Sequence, residues 1–322
     1  MAYFAKKIQN FSSQYNLWEK KSKIIIGVSG GPDSVCLLDF FYGLKKKYNF
    51  ELQIAHVNYG LREKDSDDDE KFVRKLGLKY EIKVNVLKPD KPLYKGNLEN
   101  SLRNARYDFF EKLRSQEKYD LIAVAHNQDD QAETVLMRML RGTGLNGLGA
   151  MKPKNGNIIR PLLKTSKKDI LLYLKEKKLH FRIDKTNNER IFTRNKIRHE
   201  LFPLLEKDFN PVIKNTLCEL SLSIADDYDY IYSQANKFVL KKIQDGIFFD
   251  SELFSKKHLS IQRQIVRRVI HSLVGTLNGL EYAQVEEILK VIKSSKSKAK
   301  KAFIGGLNIS KKGGKVEILH EK

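Results

Sequence analysis

Cysteine is nearly missing from this chain. Cys36 and Cys218 are the only two, far apart and in no CxxC pair. That scarcity argues for a reducing compartment and against a cysteine-ligated zinc or iron–sulfur site. Long apolar runs are missing as well: no window reaches the roughly 18 residues that mark a membrane-crossing helix. The opening stretch, MAYFAKKIQNFSSQYNLWEKKSK, is polar and has no apolar signal core, which argues against secretion and for a cytoplasmic protein. No repeat at a solenoid period is present, and only Lys293–Lys301 approaches low complexity. Negative charge is scarce relative to positive: 39 Asp and Glu stand against 60 Lys and Arg, leaving +21. Such an excess points to a polyanionic partner, with a merely solvated basic surface as the even alternative. No basic amphipathic membrane helix accompanies it, so nucleic acid is favoured over lipid and no membrane partner is expected.

What is present is enough apolar content, 41%, for real cores in 322 residues, or about two domains of roughly 150 residues. From Lys23 the chain alternates apolar strands with amphipathic helices. KIIIGV, LQIAHV, EIKVNVL, LIAVAH and IIRPLL read as strands. DSVCLLDFFYGLKKKY, SDDDEKFVRKLGL, LENSLRNARYDFFEKLRSQE, DQAETVLMRMLR and SKKDILLYLKEKKL read as helices. Short, continuously apolar strands between such helices predict a doubly wound parallel sheet, an α/β fold of Rossmann-like kind. Near Phe209-Asn210-Pro211 the text changes to long helical stretches and then short strands split by basic, glycine-rich turns. The expected domains are therefore 1–210 and a smaller α+β domain, 211–322.

In such sheets ligands sit beyond the carboxyl ends of strands, so the residues after each strand carry the argument. After the first strand comes SGGPDS, Ser29 to Ser34, followed by a helix. Glycines let backbone N–H groups turn to an anion, and the helix presents its positive end there. The Gly-Lys-Ser/Thr ending of the common nucleoside-triphosphate loop is absent. Cys36 sits among Val35, Leu37 and Leu38 and reads as core. The second strand ends in HVNYGLR, where His56, Asn58 and Arg62 cluster beside a glycine turn and suit nucleotide holding. The acidic run Asp65–Glu70 reads as helix capping and dipole compensation. After LIAVAH, Asp130 and Glu133 lie three apart at a helix start, with His126 at the strand end and a glycine loop, Gly142–Gly147, beyond.

SGGxDS after an apolar strand resembles the loop of the PP-loop ATP pyrophosphatases. Taken in order, SGGPDS, HVNYGLR, HNQDDQAET, RGTGLNGL, IIRPLL and DKTNNERIFTRNKIR resemble the tRNA(Ile)-lysidine synthetase family over about residues 22–205. The chain departs from the common form at Tyr59 and at Asn127-Gln128, and its length suggests the family's shorter architecture. The resemblance implies ATP-dependent adenylation of a cytidine in tRNA(Ile) with a CAU anticodon, then attack by free L-lysine, with release of pyrophosphate and AMP. It implies that Ser29, Gly30, Gly31, Pro32, Asp33, Ser34, His56, Asn58, Arg106 and His126 bind ATP. Asp33 and Asp130 become the Mg²⁺ ligands, Asp130 and Glu133 the lysine-binding pair, and Asp33, Asp130 and Arg198 the catalytic set. Arg194, Lys196, Lys298, Lys300 and Lys301 are tRNA-binding candidates. Arg194 and Arg198 could serve either the phosphate chemistry or the RNA, and a homodimer is left open. A thiolating PP-loop enzyme fits poorly because the cysteine pattern is absent. GMP- or NAD-type synthetases fit the motif set worse still. The reading from another class is an inactive RNA-binding protein, which would have no need of Asp33, Asp130 and Glu133 together.

Overall fold

The computed structural model describes residues 2–61, 64–89, 98–182, 193–277, 279–294, 300–304 and 306–320. Its chain divides into two compact units, Met1–Ala225 and Asp226–Lys322. The first unit runs α1 (Ala2–Gln14), β1 (Lys23–Gly27), α2 (Pro32–Tyr48), β2 (Glu51–Val57), α3 (Lys64–Tyr80), β3 (Val84–Leu87), α4 (Leu98–Gln116), β4 (Leu121–Ala123) and α5 (Gln128–Leu140). It continues with α6 (Leu145–Leu148), β5 (Lys154–Asn155), β6 (Ile158–Ile159), α7 (Lys167–Glu176), α8 (Thr193–Lys196), a π-helical turn Ile197–Leu201, α9 (Phe202–Asp208) and the start of α10 (Ile213–Asn236).

The sheet order is β3-β2-β1-β4-β6-β5, with every pair parallel except the antiparallel edge pair β5–β6. This is the expected α/β architecture with one hairpin added at an edge. Strand order reverses between β1 and β4, so the loops leaving these two strands open a crevice at the sheet's carboxyl end.

Strand parity assigns the side chains. Ile24, Ile26, Val28 and Ile54 face a core built with α1, α2, α3 and α7, where Leu37, Phe41, Val73 and Leu174 are buried. Ile25, Ala55, Ile122 and Val124 face α4 and pack on Phe110 and Leu113. Cys36 is fully buried in the first of these cores, as expected of a core residue, and burial pushes its thiol well above the ordinary range.

The second unit holds an antiparallel sheet ordered β7-β8-β11-β10-β9. Its strands are β7 (Lys241–Ile243), β8 (Gly246–Asp250), β9 (Lys300–Ile304), β10 (Leu307–Lys312) and β11 (Lys315–His320). With it go α11 (Ser251–Ser255), α12 (Leu259–Val274) and α13 (Tyr282–Lys293), and Ile265, Val269, Ile288, Ile309 and Ile318 form its core. The division between units falls inside α10 rather than at Phe209–Pro211. The physical reason is packing: Cys218 and Leu222 are buried in the first unit's core, while Ala235 on the same helix is buried in the second's. Among the described residues no helix is long and apolar enough to cross a membrane.

Candidate active site

A cavity of about 210 Å³ opens at the crevice between β1 and β4. Strand parity builds its floor. Gly27, Ala55, Val57 and Val124 point to the α4 side, where Tyr107 and Phe110 close the wall. Gly27 is required there, since a Cβ would lie 2.9 Å from the Phe110 ring. The polar rim comes from Ser29, Gly31, Asp33, Ser34, Arg106 and His126. Tyr59, one of the departures from the common motif, also lines the cavity and donates its hydroxyl to the Leu102 carbonyl of α4 at 2.8 Å.

The loop after β1 is wound as its glycines allow. Gly30 takes φ +92°, a left-handed conformation that suits glycine. The N–H groups of Ser29 and Gly30 both donate to Ser34 Oγ, each at 3.2 Å, and Ser34 Oγ donates to the Gly31 carbonyl at 2.9 Å. The loop is thus a ring of backbone donors around one hydroxyl, set at the positive end of α2. An anion arriving there would take over donors already aimed inward.

Asp33, in the first turn of α2, is held by two groups. Lys167 Nζ lies 2.8 and 2.7 Å from its two oxygens, and Asn127 Nδ2 donates to Oδ1 at 3.1 Å. Asn127 is the N-cap of α5 in a capping box. Its Oδ1 accepts from Asp130 N–H at 3.0 Å, and its own N–H donates to Asp130 Oδ2 at 3.1 Å. One amide side chain therefore caps the carboxylate helix and bridges it to the phosphate loop. Sequence reading recorded Asn127 only as a departure. It missed Lys167, whose one signal is its place in the first turn of the helix after IIRPLL.

Asp130 and Glu133 share one face of α5, and two arginines close over them. Arg194 donates to Asp130 Oδ1 at 2.8 Å and to Glu133 Oε2 at 2.6 Å. Arg198 donates to Glu133 Oε1 at 2.6 Å and Oε2 at 3.0 Å. Glu133 is only 1% exposed. Burial pushes the Asp130 carboxyl up to about 6, against the pull of Arg194. Arg198 is carried by the π-helical turn, a local widening that often marks functional positions. His126 is held well below its ordinary range, first by burial and then by the charges of Arg160, Arg106, Arg103 and Arg194, so its imidazole is neutral. Its Nδ1 is buried without a partner among the described residues. Arg160, of the IIRPLL motif, is 5% exposed and donates to the Lys152 carbonyl at 2.9 Å.

Two of the ATP-binding candidates stand elsewhere. His56 and Asn58 have the opposite parity to Ala55 and Val57 and face α3, not the cavity. His56 Nδ1 lies 2.8 Å from the Val28 carbonyl. Asn58 donates to Asp67 and Glu70, each at 2.9 Å. Asn58, Lys88 and Arg74, outweighing the cost of burial, hold Glu70 down to about 2. The acidic run is thus a structural anchor. Arg62, Lys298 and the segment 184–192 of the last motif lie outside the described residues. Lys300 and Lys301 lie on β9, their side chains likewise outside, and Lys196 is exposed.

A cation between Asp33 and Asp130 would meet hard oxygen donors linked through Asn127. Among the described residues no cluster of three or more His, Cys, Asp or Glu could hold a metal.

The PP-loop domain matches residues 2–205. The tRNA(Ile)-lysidine synthase of Caldanaerobacter subterraneus is 38% identical over 293 residues, 89% of this chain and 63% of that protein. That of Clostridium tetani is 42% identical over 90% of this chain and 64% of that protein, and that of Bacillus anthracis 31% over 95% and 67%. The chain thus spans about two thirds of the length of these relatives. Among solved structures, the U34-tRNA thiolase NcsA from Methanococcus maripaludis shares the fold with a TM-score of 0.57 at 20% identity, over 69% of this chain and 79% of that one. A phosphate loop without a Walker lysine, a carboxylate helix facing it, and relatives at this level place the chain in the PP-loop family, among the tRNA(Ile)-lysidine synthases.

Proposed function

We propose that this chain ligates L-lysine to C2 of the cytidine at the first anticodon position of tRNA(Ile) with a CAU anticodon, using ATP and Mg²⁺. The observation that carries the reading is the juxtaposition of Asp130 and Glu133 with the phosphate-loop Asp33 across Asn127, in a chain so similar to relatives named tRNA(Ile)-lysidine synthase.

The cytidine C2 oxygen forms a bond to the α-phosphorus of ATP as the bond to the β-phosphate's bridging oxygen breaks, and pyrophosphate leaves. The ring of N–H donors at Ser29 and Gly30 and the hydroxyls of Ser29 and Ser34 receive the departing anion. The apolar floor at Gly27, Ala55 and Val124 suits a purine ring. Arg106 on the rim meets the charge growing at the α-phosphate. Mg²⁺ held by Asp33 and Asp130 would neutralise phosphate charge. Lys167 would then be released from Asp33 to follow the pyrophosphate.

In the second half, the lysine amine attacks C2 and AMP leaves with the former C2 oxygen. The incoming ammonium competes with Arg194 for Asp130 and Glu133, so one cation replaces another and the buried carboxylates stay balanced. With Asp130 engaged by the cation, Glu133 takes the amine's proton as C2 is attacked.

The test is incubation with labelled L-lysine, ATP, Mg²⁺ and unmodified CAU-anticodon tRNA(Ile). ATP-dependent incorporation with release of AMP and pyrophosphate is expected. Asp33→Ala should abolish pyrophosphate release while tRNA affinity is largely kept. Pyrophosphate release with a different tRNA and no lysine uptake would move the reading to another base modification. No ATP cleavage with any tRNA would leave an inactive RNA-binding protein.

A further inference from the structure

Arg194 and Arg198 are spent on carboxylates, but a second group of arginines beside the cavity is not. Arg103 lies on α4, one turn before Arg106, and both guanidiniums sit over the Tyr107 ring, at 5.4 and 5.5 Å. Arg138 lies at the end of α5, and Arg141 is its C-cap. Arg138 donates to the carbonyls of Gly147 and Ala150, at 2.9 and 3.2 Å, and so braces the glycine loop that follows. Among the described residues none of Arg103, Arg138 and Arg141 has a carboxylate partner. Burial opposes the charge on Arg138, and Arg103 and Arg141 are close enough to oppose it further. Arg103 also bears on Arg160 and His126, at the cavity itself.

Crowded like charges without counterions cost the free protein stability. Beside them Met139 and Leu140, in the last turn of α5, and Leu145, which opens α6, are exposed at 51%, 64% and 47%. Arginine forks match phosphate oxygens, and exposed apolar side chains receive unstacked bases and ribose. The surface adjoins the cavity through Tyr107, which lines the cavity and has the Arg103 guanidinium 5.4 Å from its ring centroid.

We propose that Arg103 and Arg141, with the loop braced by Arg138, bind the phosphate backbone of an RNA strand flanking the nucleotide that enters the cavity, and that Leu140 and Leu145 pack on its unstacked neighbour. The proposal rests on the reading that the substrate is RNA.

The experiment measures the dissociation constant of tRNA(Ile) and of bulk tRNA against KCl concentration, for the full chain, for Arg103→Gln and Arg141→Gln, and for the double variant. Each single change should weaken binding about fivefold and lower the log–log salt slope by about one, the double variant by about two. Melting temperature should hold or rise, because repulsion is relieved, which separates a lost contact from a lost fold. An unchanged slope and affinity in the double variant overturns the proposal even if lysine is ligated. A lowered slope with bulk tRNA, in a chain that ligates no lysine, supports the surface and sinks the substrate reading alone. A chain that binds no RNA, or whose arginine variants lose only binding to anionic phospholipid vesicles, overturns the proposal.

Discussion

At the scale of single residues, the site is a balance of buried charge. Asp130 has a displaced titration, and the sign of its effect can be worked out. Its carboxyl is raised from 3.8 to about 6 in the folded protein, so between those values the native state holds more proton than the unfolded chain. Its contribution to stability is therefore best at low pH, declines as pH rises through about 6, and is flat above that. Asp130→Asn removes this dependence. We predict that the stability of wild type minus that of Asp130→Asn, from urea midpoints, falls between pH 4 and pH 6 and changes little from pH 7 to pH 8. A difference that rises with pH would show the arginines winning over burial. Asp33, Asp130 and Glu133 were legible in the sequence because they lie in contiguous motifs. His56 and Asn58 were misplaced because adjacent residues on a strand face opposite sides, and Tyr59, not Asn58, has the cavity's parity. Lys167 was invisible for another reason. It reaches Asp33 only after the sheet brings the start of α7 beside the start of α2, and no local pattern encodes that meeting.

At the scale of elements, α5 is fixed from behind. Gln131 is fully buried between Asp130 and Glu133 in the sequence of the helix. It donates to the Met151 carbonyl at 3.0 Å and to Ser221 Oγ on α10 at 2.8 Å, and it accepts from Met151 N–H at 3.0 Å. Gln128 adds a bond to Asn215 at 2.9 Å, and Lys214 pairs with Asp129 at 3.2 Å. The acidic face can thus be held rigid while carrying charge. Gln131→Leu would leave the Met151 peptide and the Ser221 hydroxyl without this partner. It should cost about 3 kcal/mol in denaturant unfolding, by the penalty for unmet buried polar groups. A loss under about 1 kcal/mol would mean the elements hold together without it. Helices and the parallel sheet were readable from apolar periodicity. β6 falls within the strand read at IIRPLL, but its antiparallel partner β5 was not read, because a two-residue strand carries no period. Nor did the sequence announce the π-helical turn that presents Arg198.

At the scale of the whole molecule, α10 serves two cores. Chain composition marks a change of character at Phe209–Pro211, but side chains past it complete the first unit. A chain ending at Asn210 would lose Leu217, Cys218 and Leu222 from buried positions. At about 25 cal/mol for each Å² of apolar surface re-exposed, three such side chains amount to several kcal/mol, comparable with the whole stability of a domain. We predict that a chain ending at Asn210 aggregates or melts early, whereas one ending at Asn236 keeps a cooperative thermal transition and ATP binding. Equal melting temperatures for the two would contradict this account of the core.

The same helix bears on how the protein is made. Translation delivers residues in order, and β1, near the start, must wait for β4 and β6 before its sheet is filled. Even then the hydrophobic interior stays open on one side until Leu222 has left the ribosome. The nascent first unit therefore spends the interval between its last strand and its last helix with apolar surface bare. In that interval the exposed apolar surface makes the incomplete fold prone to aggregation.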